Sequence, residues 1–150
     1  MLIIPVLIAM MFLFPYFASV TMSSWEESRR TIALQEAASH LSSLFQQLYS
    51  SVNHDTINNG NVSCETDLPI LIENHPYMAN ATLRATGSNP NSSKVLEITL
   101  NCIGVDCTAS TQATFGNNIN WRNSTFMSNS TSARLVAEKT SNTILMYFGS

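Results

Sequence analysis

No charged side chain precedes Glu26, so the first 25 residues contain no lysine or arginine. That absence argues against a secretory leader of the ordinary kind within this stretch, which would set a basic residue ahead of its apolar run. Asparagine is missing before Asn53 and glycine before Gly60, and no proline falls between Pro15 and Pro69. Nothing that ordinarily ends a helix therefore interrupts Tyr16 to Val52. Charge is scarce throughout, at 11% of residues with a net of −3. The seven basic residues are scattered, with Arg29-Arg30 the one adjacent pair. A nucleic-acid partner is excluded on this ground, since it requires a basic stripe or patch.

What is present divides at Val52-Asn53. Met1 to Val20 is apolar apart from the hydroxyls of Tyr16 and Ser19, and about 20 such residues are what a helix needs to cross a bilayer. From Trp25 the pattern turns amphipathic through Ile32, Leu34, Ala37, Ala38, Leu41, Leu44, Phe45, Leu48 and Val52. From Leu34 onward the apolar positions repeat at i, i+3, i+4 and i+7, the helical period. Residues 1–52 are thus expected to form one helix about 75 Å long. A 150-residue chain with one small domain cannot cover such a rod. Its apolar half must be buried in lipid or in copies of itself. Pro15 removes the amide that would bond the Met11 carbonyl, and is expected to kink or locally unwind the helix. A Pro-kinked membrane span and a hinge that helps neighbouring helices pack are equally consistent with it.

Residues 53–150 hold all fifteen asparagines and all five glycines. The stretch NHDTINNGNVSCETD (53–67) is read as loop from its turn residues. Strand character is expected in LPILI (68–72), YMANATLRAT (77–86), KVLEITLNC (94–102), TQATF (111–115) and ARLVAEKTSNTILMYF (133–148). In the third, Leu96, Ile98, Leu100 and Cys102 alternate with polar residues, the period of a half-buried strand. The last run is expected to fold back as a hairpin through KTSNT. With no helical pattern to serve parallel crossovers, the sheet is expected to be antiparallel, giving an α+β chain.

Cys102 and Cys107 flank IGVD, a turn-length segment that can bring them face to face. Pairing of Cys64 with either is the rival, because connectivity does not follow from sequence. Sequons N-x-S/T occur at Asn61, Asn80, Asn91, Asn123 and Asn129. About 3.5 are expected by chance from this composition, so their number is only a mild excess over the motif's background. Asn80 points outward if Tyr77, Ala79, Ala81 and Leu83 point in. His40, His54 and His75 are not spaced as metal ligands. The globular half contains no nucleophile elbow and no Gly-rich phosphate loop. No enzyme activity, cofactor or metal is expected.

The apolar start without a preceding charge, the helix of about fifty residues and the sequon-rich β domain resemble the archaeal type IV pilins, whose plan the archaeal flagellins share. In that family a peptidase removes a short basic leader, so that a mature chain begins as MLIIPVLIAMMF does here. The resemblance implies a structural subunit of an extracellular adhesion filament. By the same resemblance, the subunit is expected to wait in the cytoplasmic membrane and then to form a helical homopolymer with a glycosylated surface. The filament-core positions so implied are Leu2, Ile3, Ile4, Val6, Leu7, Ile8, Met11, Phe12, Leu13, Phe14, Pro15, Phe17, Val20, Trp25, Leu34 and Leu41. Pro5 stands where the bacterial members carry glutamate, a departure that archaeal pilins generally share. The alternative is a single-span, membrane-anchored surface glycoprotein acting as a binding module.

Overall fold

The computed structural model describes residues 3–131 and 133–149, with Ile3 described by its backbone only. Helix α1 runs from Ile3 to Val52, unbroken through Pro15. One missing hydrogen bond therefore does not unwind it, contrary to that part of the expectation. Pro15 costs one bond of the ladder, and the backbone hydrogen bonds on either side of it hold the helical geometry.

Eight strands follow: β1 (Asn59–Glu65), β2 (Tyr77–Ala85), β3 (Lys94–Cys102), β4 (Thr108–Phe115), β5 (Ile119–Trp121), β6 (Thr125–Met127), β7 (Arg134–Thr140) and β8 (Thr143–Gly149). They form two four-stranded sheets, ordered β1-β7-β8-β5 and β4-β3-β2-β6. The fold is α+β and mostly antiparallel, with one departure: β5 pairs parallel to β8. The short β5 comes to β8 from the other sheet, so no hairpin constrains its direction. The sheets meet at β5 with β2 and at β6 with β8. Their other side is closed by α1, which contacts β4 and β3 of one sheet and β1 and β7 of the other.

Two stretches differ from the sequence reading. Asn59–Glu65 is a strand and not a loop, because β7 supplies a complete antiparallel partner from Asn59↔Thr140 to Glu65↔Arg134. LPILI is not a strand. It leads into a tight reversal in which Ile72 and His75 exchange both backbone hydrogen bonds at 2.9 Å. Glu73 and Asn74 between them take φ of 46° and 66°, as a two-residue primed turn requires. The KTSNT reversal does form, joining β7 to β8 with Thr140 opposite Thr143.

The core forms where α1 meets both sheets. Leu34, Ala37, Ala38, Leu41, Phe45, Leu48 and Val52 are buried on one face of the helix. Phe45 packs edge-on to Trp121 and Phe148, at centroid distances of 5.6 and 5.5 Å. Phe148 also meets Phe126, which lies against Tyr77. Polar contacts fix the helix along β4: Ser42 Oγ donates to the Gln112 carbonyl (3.1 Å) and Gln35 Nε2 to that of Ser110 (3.2 Å). Near the helix end, Tyr49 OH donates to Asn118 Oδ1 and accepts from the Gly116 N–H.

Candidate functional site

The helix changes character along its length. From Leu34 to Val52 it is a structural member of the domain. From Ile4 to Val20 every large apolar side chain lies open, between 51 and 80% exposed. None of the most apolar 18-residue stretch is buried, and this stretch is long and apolar enough to cross a membrane. Residues 3–24 span about 33 Å, against about 30 Å for a bilayer's hydrocarbon core. The exposed side chains surround the helix on all sides and do not form a stripe, so no single flat partner would cover them.

Two of the hydroxyls here bond back within the helix. Thr21 Oγ1 donates to the Phe17 carbonyl and Ser23 Oγ to that of Val20. Such back-bonding to the preceding turn suits a hydroxyl in an apolar medium. The first charges, Glu26 and Glu27, follow at once. Arg29 Nη2 lies 3.4 Å from Glu73 Oε1, in the reversal between Ile72 and His75. That exposed pair contributes little to stability but marks where the rod enters the domain.

The filament-core positions named from sequence fall into three groups. Leu2 and the side chain of Ile3 lie outside the described residues. Ile4, Val6, Leu7, Ile8, Met11, Phe12, Leu13, Phe14, Pro15, Phe17, Val20 and Trp25 are all exposed. Leu34 and Leu41 are fully buried by the chain's own sheets, which leaves none of their surface for another subunit. Trp25 and Ile32, read as part of the amphipathic stripe, are exposed at 70% and 65%. The domain begins to cover the helix only at about Ala33, so the stripe starts later than the sequence pattern suggested.

All five sequon asparagines are exposed. Asn61 lies on edge strand β1, Asn80 on β2, Asn91 in the β2–β3 loop, and Asn123 and Asn129 on either side of β6. Tyr77, Ala79 and Ala81 point inward beside Asn80, as the alternation requires. Asn80 Oδ1 accepts from Thr125 Oγ1 at 3.2 Å, joining two sequons across β2 and β6. The disulfide joins Cys102 to Cys107 at the end of β3, leaving Cys64 free and half-buried on β1. Sequence reasoning did not single out Trp121, which is placed by the short β5 strand beside Asn123. The signal lay in the spacing of W-R-N-S-T. The chain matches no protein-family model, no curated protein and no solved structure.

Proposed function

We propose that this chain is the structural subunit of an extracellular filament of the type IV pilus kind, polymerising through the N-terminal half of α1. One observation carries the reading: a helix with apolar side chains open on all faces from Ile4 to Val20, attached to a domain whose own core is complete. The bilayer satisfies that helix while the subunit is unassembled, and identical helices packed side by side satisfy it afterwards. Because lipid already removes the surface from water, assembly rests on close side-chain packing more than on the hydrophobic effect. A head-to-tail contact that does not close produces an open helical polymer. In this reading the five exposed sequons lie on the outer surface and carry glycans.

The alternative is a membrane-anchored surface glycoprotein that stays monomeric. It is favoured by the self-sufficiency of the domain, in which Leu34 and Leu41 need no second chain. The substitution Ile8→Asp distinguishes the two. Ile8 is half exposed on the open rod, far from the domain core. The filament reading expects loss of filaments in electron micrographs while the domain keeps its near-ultraviolet circular dichroism. Wild-type filament yield from Ile8→Asp would contradict it.

A further inference from the structure

The chain crosses from one sheet to the other between β5 and β6, in Arg122, Asn123 and Ser124. The crossover is held firmly. Arg122 N–H donates to the Met146 carbonyl at 3.0 Å. Ser124 Oγ donates to the Arg122 carbonyl at 3.0 Å and accepts from the Phe148 N–H at 2.9 Å. Trp121 stands two residues before Asn123, and Thr125 two residues after it. Trp121 and Asn123 line one open depression on the domain surface, shared with Thr82, Leu83 and Asn120. The indole is anchored from inside by edge-to-face packing on Phe45 and Phe148, at 5.6 and 5.3 Å. Its N–H is enclosed without an acceptor among the described residues, so ring carbons are what Trp121 contributes to the depression.

A pyranose has one face of C–H groups that carry partial positive charge, and an aromatic ring has a negative face. The two attract and remove apolar surface from water together. A sugar tethered at Asn123 meets the indole at high effective concentration, and the fixed crossover means little further ordering is needed. No other sequon has this arrangement: the residues two positions ahead of Asn61, Asn80, Asn91 and Asn129 are Asn59, Met78, Asn89 and Met127.

We propose that Trp121 is a saccharide platform, on which the first pyranose of an Asn123-linked glycan lays its C–H face. This rests on the exported, glycosylated reading above. In forming the linkage, the Asn123 carboxamide nitrogen bonds to the anomeric carbon, loses a proton and displaces the phosphate of an activated donor sugar. The glycan then completes the exposed side of the aromatic cluster and holds one fixed direction from the domain.

The test uses the full chain in detergent, made in cells that N-glycosylate and in cells that do not. Peptide mass spectrometry reads occupancy at Asn123 whether or not filaments form, so failure here is separable from failure of the filament reading. In a Trp25→Phe background, Trp121 supplies the only indole signals. The platform expects nuclear Overhauser contacts between those protons and sugar C–H protons. It also expects Asn123→Gln to shift the unfolding equilibrium about fivefold towards the unfolded state in the glycosylated protein, a Tm change of several degrees. The unglycosylated protein should respond by much less. An unoccupied Asn123, or an occupied one with no indole–sugar contact and equal effects of Asn123→Gln in both preparations, would overturn the proposal.

Discussion

Tyr77 ties chemistry to burial at a single position. It is fully buried, its hydroxyl donates to the Pro69 carbonyl at 2.8 Å, and desolvation pushes its pKa up to about 12 from 10.0. The folded state thus holds this proton more tightly than the unfolded chain does. Stability is unaffected below about pH 10 and falls as the pH rises from there towards about 12. Tyr147 is raised in the same direction, first by its hydrogen bond to Glu138 and then by burial. Urea midpoints between pH 8 and 12 should show this decline, and Tyr77→Phe should make it shallower. An identical pH profile for the variant would refute the assignment. A second residue, Phe45, joins the helix to both Trp121 and Phe148. Phe45→Ala is expected to destabilise the domain by about 3–5 kcal/mol, read from urea unfolding.

At the scale of elements, α1 is two structures in one helix. Leu41 is fully buried and Phe12 is 74% exposed. Leu41→Ala should cost the domain about 2–5 kcal/mol, whereas Phe12→Ala should leave its unfolding midpoint unchanged and act only on filament assembly. The disulfide at the end of β3 closes a short loop, for which chain entropy suggests about 2 kcal/mol. The double variant Cys102→Ser, Cys107→Ser should lose about that much in the same measurement. Much of this was legible beforehand. The length of α1 followed from missing glycine, asparagine and proline after Pro15, and β3 from the alternation of Leu96, Ile98 and Leu100. The sequence misled on β1, read as loop, because NGNVSCE has turn composition and becomes a strand only through its pairing with β7. LPILI misled in the opposite sense: it has strand composition but finds no ladder partner, and its last residue enters a tight turn. Of the candidate site, the open rod was legible by composition. Where the domain begins to cover it was not, since that depends on where the sheets meet the helix.

For the whole molecule, the division of labour is between a domain that folds on itself and a rod that cannot be left in water. Tens of kcal/mol of apolar burial are at stake over a helix of this length, far more than the net stability of a small domain. Some partner must take up that surface, and copies of the chain offer the same length and the same all-round apolar character. The most direct measurement is electron microscopy with helical reconstruction of the full chain after detergent is withdrawn. The account expects filaments whose core is built from residues 4–25 of many subunits, with the β domains and Asn61, Asn80, Asn91, Asn123 and Asn129 outside. Monodisperse particles stable only in lipid or detergent, or filaments joined through the β domains with the rods unpacked, would contradict it.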